Sequence, residues 1–312
     1  MSRIHEALKK AEQERATVQT ADVPASTAEP VAANPPCEEV TTEIMTDVTP
    51  PATHALASRS DHLRFDDLRS HCVHPQWKLD PNMSVFGDSE TEIHAAEQFR
   101  TLRSRLYQLR GNQSLRTLLV TSAISGEGKT FLASNLAQAI VRQPDRRTLL
   151  IDGDLRCPSL HVPFGAPSSP GLTDYLRGEA DEMAIIQQGV EGNLCFIACG
   201  KNVTNPSELL ANGGLKKLLD RVTPIFDWVI VDSPPCLPVA DANILADLCD
   251  GVLLVVRAGS THAELAQKAC QELKGRNILG VVLNAVDETH LYGSYYYQSY
   301  GYGQNGSKAL QK

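Results

Sequence analysis

The pattern of apolar and polar positions changes character along this chain. Over Met1–Arg15, Ile4, Ala7, Leu8 and Ala11 recur at helical spacing, with Lys9, Lys10, Glu12 and Glu14 mostly elsewhere, which predicts a short amphipathic helix. Such a helix either packs on its own domain or docks on a partner. Between Arg15 and Arg59 the periodicity stops and there is no Lys or Arg; Pro, Ala, Thr, Val and Glu dominate, predicting a disordered tether. From about Asp80 a regular pattern begins. Glu92 to Leu109 reads as a helix carrying Ile93, Ala96, Phe99, Leu102 and Leu106. Strands are predicted at Arg116–Thr121, Thr148–Ile151, Leu194–Ala198, Trp228–Val231, Val252–Val256 and Ile278–Leu283, and helices at Thr130–Val141, Pro206–Val222, Ala240–Leu248 and Thr261–Leu273. The strands are continuous apolar runs, as burial on both faces requires. The expected fold is therefore α/β, a mostly parallel sheet with helices on both faces, preceded by the disordered N-terminal linker.

After Val286 Gly, Ser, Gln and Tyr take over and no period remains. The expected organisation is a helix over 1–16, a linker over 17–79, one domain over 80–287 and a flexible tail over 288–312.

Composition narrows the class. At 312 residues, 42% hydrophobic and 21% charged, the chain can bury a sizeable core. No apolar run is long enough to span a bilayer and Met1–Arg15 is charged throughout, so a cytoplasmic location is expected. The eight cysteines are scattered without a paired CxxC, and reduced thiols are expected. A formal net charge of −8 argues against nucleic acid as the main partner.

The strand ending Val120-Thr121-Ser122 runs into Ala123-Ile124-Ser125-Gly126-Glu127-Gly128-Lys129-Thr130 and then into a helix beginning at Phe131. Strand, Gly-rich turn and helix together form a phosphate cradle. Glycines let the backbone bend tightly and present successive N–H groups to phosphate oxygens; Lys129 is placed for the outer phosphates and the Thr130 hydroxyl for Mg²⁺. Nucleotide contacts are thus expected from Ser125, Gly126, Glu127, Gly128, Lys129, Thr130 and Phe131. The strict pattern has glycine where this chain has Ala123. Two strands then end in carboxylates, Asp152 and Asp154 after Leu149-Leu150-Ile151, and Asp232 after Val229-Ile230-Val231. Taken singly, each aspartate is equally well a strand-end cap. In order after a phosphate loop they form a set, because carboxylates beside a polyphosphate need a cation between them.

These motifs resemble the Walker A, A′ and B motifs of the bacterial protein tyrosine kinases that control exopolysaccharide synthesis. They are matched by Ala123–Thr130, by Leu149–Asp154 with Arg156 and Pro158, and by Val229–Asp232 with Pro234 and Pro235. The resemblance runs from about Glu92 to the C-terminus and makes Ala123 an expected variation. It implies a P-loop NTPase fold, ATP and Mg²⁺ as cofactors, and catalytic roles for Lys129, Asp152, Asp154 and Asp232. Thr130, Asp152 and Asp232 are then placed at the metal, and Asp152 or Asp154 accepts the tyrosine proton. Asn284, at the end of the last strand, either meets the adenine edge or caps a turn. Glu97, Arg100 and Arg103 match the family's E-x-x-R-x-x-R contact of a ring-shaped oligomer, although the same spacing also suits a solvated helix face.

Six of the eight tyrosines, Tyr292, Tyr295, Tyr296, Tyr297, Tyr300 and Tyr302, crowd the tail and correspond to the family's autophosphorylation cluster. The resemblance further implies a membrane chain-length regulator that activates the kinase at the inner face of the plasma membrane, and a cognate tyrosine phosphatase. Two other readings compete. One is an ATPase switch like the partition and septum-positioning proteins, which carry a lysine where this chain has Ile124; the other is a nucleotide-stabilised scaffold. Asn205-Pro206-Ser207-Glu208 reads as a loop into a capped helix without chemistry.

Overall fold

Strands rich in Leu, Ile and Val on both faces can be buried only in the middle of a layered structure, and the computed structural model, which describes residues 64–189 and 192–286, has that arrangement. The strands are β1 (Thr117–Ser122), β2 (Thr148–Asp152), β3 (Ile186–Gln188), β4 (Leu194–Ile197), β5 (Trp228–Asp232), β6 (Gly251–Arg257) and β7 (Ile278–Asn284). They form one sheet in the order β3-β4-β2-β5-β1-β6-β7. Every pairing is parallel except that of β3 with β4.

The helices are α1 (Phe65–His71), α2 (Glu90–Asn112), α3 (Lys129–Val141), α4 (Leu172–Leu176), α5 (Glu182–Ile185), α6 (Pro206–Ala211), α7 (Gly214–Val222), α8 (Asp241–Ala246) and α9 (Ala263–Glu272). Alternate strand residues feed two cores. Leu118, Val120, Leu150, Trp228 and Ile230 meet Phe99 and Leu106 of α2 and Leu132, Leu136 and Ile140 of α3. On the other face Leu119, Leu149, Ile151, Val229 and Val231 meet Leu210, Leu215, Leu218, Leu245 and Ala269 from α6 to α9. Helices on both faces and a mostly parallel sheet are what the apolar pattern predicts. α2 is well started, because Ser89 and Glu92 make a reciprocal capping box.

Three expectations need correction. The stretch 206–222 is two helices, broken where Gly213 takes a φ of +84° and the Asn212 side chain accepts the Gly214 N–H. α4, α5 and the antiparallel edge strand β3 are too short to leave a periodic signal. Residues 64–79, placed in the disordered linker, are folded. There α1 buries Phe65 and Leu68, with the Phe65 ring edge-on to Phe226 at 5.8 Å. Val73 then exchanges backbone hydrogen bonds with Ile186 and Gln188 along β3, and Trp77 stacks on Phe164 at 5.3 Å. This segment covers the outer edge of the sheet. The expectations for 1–16, the remaining linker and the tail with its tyrosines lie outside the described residues. Among the described residues no helix is long and apolar enough to cross a membrane.

Candidate active site

The phosphate turn joins β1 to α3, and its shape follows from its glycines. Gly126 and Gly128 have φ of +83° and +91°, a region that side chains with a Cβ avoid, and Gly128 is the N-cap of α3. Ala123 is fully buried among the apolar residues beneath the turn, so a methyl group is accommodated where the strict motif has glycine. Lys129 is buried at the first position of α3. Ser125 and Gly126 are exposed at the mouth. The side chains of two residues expected at the nucleotide pack elsewhere. Phe131 packs its ring on Phe99 at 6.1 Å, and the Glu127 carboxylate is buried beneath the turn, accepting the Ile124 N–H at 2.8 Å. Contacts from these two residues to a nucleotide would come from their backbones.

The carboxylates converge because β2 and β5 are neighbours in register, with Asp152 directly opposite Asp232. Both are buried. The Thr130 hydroxyl donates to Asp232 Oδ2 at 2.6 Å and lies 3.4 Å from Ser159 Oγ. Asp152 accepts the Leu160 N–H at 3.0 Å and the Asp154 N–H at 3.3 Å. Burial, reinforced by the charge of Asp232, pushes the Asp152 carboxyl well above the usual range. Burial also pushes Asp232 up to about 7, against the opposing hydrogen bond from Thr130 and the charge of Lys129. Asp232 Oδ1 has no partner among the described residues.

Two adjacent buried carboxylates, one with an orphan oxygen, beside a hydroxyl and a lysine fit a divalent cation. Among the described residues no three His, Cys, Asp or Glu side chains converge on a metal. A cation held there would take its remaining coordination from water and phosphate oxygens, as Mg²⁺ prefers.

Asp154 is half-buried, and its Oδ1 accepts the N–H groups of Arg156 and Cys157. Arg156 in turn grips fully buried Asp241 through Nε at 2.7 Å and Nη2 at 3.0 Å, and Nη2 also donates to Ser207. The sequence reading missed Asp241 and gave Ser207 no role. No local signal marks them, since they meet the A′ loop only through the tertiary fold. Asn284 lies against the turn, its Nδ2 donating to the Glu127 carbonyl at 2.9 Å. Glu97 and Arg100 pair with each other on the exposed face of α2, whereas Arg103 turns inward and donates to the Ala139 carbonyl.

Residues 118–300 match the model of the CobQ/CobB/MinD/ParA nucleotide binding domain. The chain is 35% identical over 203 residues to tyrosine-protein kinase YwqD of Bacillus subtilis, which covers 64% of this chain and 85% of that one. It is 36% identical to tyrosine-protein kinase CpsD of Streptococcus agalactiae, over 64% of this chain and 87% of that one. With the longer tyrosine-protein kinase etk of Escherichia coli it shares 34% identity over 72% of this chain but 31% of that relative. The solved kinase domain of Escherichia coli tyrosine kinase ETK superposes with a TM-score of 0.64 at 34% identity, covering 73% of this chain and 87% of that domain. A P-loop with aligned A′ and B carboxylates, on a sheet and sequence shared with these enzymes, places the chain in the bacterial protein tyrosine kinase family.

Proposed function

We propose that this kinase uses ATP and Mg²⁺ to phosphorylate its own C-terminal tyrosines, between subunits of a ring, and thereby regulates exopolysaccharide synthesis or export. The observation that carries the catalytic part is the cluster of Thr130, Asp232 and Asp152 at the mouth of the phosphate turn. Thr130 and Asp232, with Asp152 behind them, would hold Mg²⁺, which supplies charge neutralisation on the phosphates. Phosphoryl transfer asks the protein mainly for alignment and charge compensation. The turn amides and Lys129 provide both on the protein side. The attacking tyrosine has a pKa of about 10 and must lose its proton during or after attack. Asp154 is the better base of the A′ pair. It reaches the surface, whereas Asp152 is buried with its two oxygens engaged by backbone N–H groups.

Ile124, where partition-type switches carry lysine, and the tyrosine cluster favour a kinase that labels itself over a bare ATPase switch. Incubation with labelled ATP and Mg²⁺ should place label on the tail tyrosines, and Lys129→Met should reduce it about a hundredfold or more. Hydrolysis without label would mean a switch, and neither activity a scaffold.

The remaining parts of the reading follow the family. Glu97 and Arg100 supply a ring contact, a membrane chain-length regulator recruits the kinase to the inner face of the plasma membrane, and a cognate tyrosine phosphatase resets it. Asp287 to Tyr295 spans about 27 Å when extended, enough to reach a neighbour. Six phosphotyrosines would add roughly 9 to 12 negative charges per chain, so phosphorylation should disperse the ring. Native mass measurement of the fully phosphorylated protein should show protomers; an intact ring would contradict this.

A further inference from the structure

We infer that Arg257 and Asn284, at the C-terminal ends of β6 and β7, and Thr261, in the turn that follows β6, are positioning residues that set the phosphate-binding turn before nucleotide arrives. The inference rests on that turn being the phosphate site. In a trans peptide unit the C=O and N–H point in opposite directions, so whatever holds the carbonyl also aims the amide.

Three carbonyls of the turn are held in this way. Ser122 Oγ donates to the Ile124 carbonyl at 2.7 Å, Arg257 Nη1 to the Gly126 carbonyl at 3.1 Å, and Asn284 Nδ2 to the Glu127 carbonyl at 2.9 Å. The N–H groups of the same peptide units belong to Ser125, Glu127 and Gly128. Each is thereby directed away from its anchor, as a phosphate nest requires.

A second tie lies beneath the turn. The buried Glu127 carboxylate accepts the Ile124 N–H, the Thr261 hydroxyl and, at 3.4 Å, the Arg257 N–H. The two strand ends are themselves joined, because Arg257 and Asn284 are register partners and the Ala258 N–H donates to the Asn284 carbonyl at 2.9 Å. The Asn284 amide lies so close that a Cβ added to Gly128 would come within 2.0 Å of Nδ2. Asn284 thus has a function toward the turn itself, apart from any contact with adenine.

An organised turn spares nucleotide the cost of ordering it. Loosening it should weaken binding of ground state and transition state alike, raising KM and leaving kcat in place. The test compares Arg257→Met, Thr261→Val and Asn284→Ala, singly and combined. It reads Kd for Mg-ADP by calorimetry, KM and kcat for ATP, and the melting temperature. Each single variant should raise Kd and KM about threefold to tenfold, the effect of one net hydrogen bond, with kcat changed less than about twofold. Arg257→Lys and Thr261→Ser, which retain donors, should stay near the native values and serve as folded counterparts.

Unchanged Kd and KM in the combined variant, or a loss confined to kcat, would overturn the inference. So would equal losses in the donor-retaining variants. If the unmutated protein fails to bind Mg-ADP, it is the phosphate-site reading itself that fails, which separates the two outcomes.

Discussion

Asp232→Asn should make the metal-free protein more stable near neutral pH while lowering phosphotyrosine formation about a hundredfold or more. The first half follows from where Asp232 lies. Its carboxyl is buried beside Asp152, and burial raises it to about 7, from an ordinary value of about 4 in the unfolded chain. Between those values the native state binds more protons than the unfolded state, so stability falls as pH rises through this window. Below about pH 4 both states hold the proton and the native chain suffers no penalty. Above about pH 7 the full penalty applies, at most about 4 kcal/mol for three units. Asparagine keeps the shape, can accept from Thr130 and carries no charge.

Urea unfolding in EDTA at several pH values should therefore show the native protein weakening from acid to neutral pH and the variant weakening less, its remaining slope being that of buried Asp152. Added Mg²⁺ should stabilise the native protein more than the variant, since a ligand that binds only the folded state adds to its stability. An Asp232→Asn protein that is no more stable at neutral pH, or that keeps its kinase activity, would refute this account of the site.

The site was legible in the sequence where chemistry follows the strands. β1, β2 and β5 announce themselves as apolar runs, and the residue after each run is placed at the same sheet edge. Asp152 and Asp232 could therefore be paired from order alone, and the register places them side by side. What failed to show lies in contacts without local periodicity. Arg156 meets Asp241 across 85 positions, and Arg257 meets Gly126 across 131, with nothing in either segment to foretell the partner. The residues of the E-x-x-R-x-x-R pattern do not share one face of their helix. Six residues of helix advance about 600°, which leaves Glu97 and Arg103 about 120° apart around the axis. The stripe therefore winds, and Arg103 ends against α3 while Glu97 and Arg100 remain outside. Motif position likewise fixes the backbone of Glu127 but not the direction of its side chain, which is buried beneath the turn.

A chain beginning at residue 80, where regular periodicity begins, should be markedly less stable than one beginning at residue 64. The missing stretch is short, and its apolar residues are too few to signal a helix, yet it completes the packing around the sheet. Leu68 is fully buried in the same core as Leu149 and Val229, and Phe65 lies between Phe226 and the Arg147 guanidinium, 4.1 Å from its ring. Beyond α1, Val73 supplies hydrogen bonds to the outer edge of β3, and Trp77 packs so closely that a Cβ on Gly189 would come within 2.3 Å of its ring. Removing the segment would expose core side chains and leave β3 with an open edge, a template for aggregation. Leu68→Ala alone should cost about 2–5 kcal/mol, the usual range for a buried leucine whose cavity cannot fully close. Asp66→Ala, on the exposed side of α1, should change stability by about 0.5 kcal/mol or less. Urea midpoints for the two truncations and the two variants, with light scattering to detect association, test the packing directly. If the chain starting at residue 80 unfolds at the same midpoint and stays monodisperse, α1 and the strand-edge segment contribute nothing to the fold; if it weakens in step with Leu68→Ala, the kinase domain begins near Arg64.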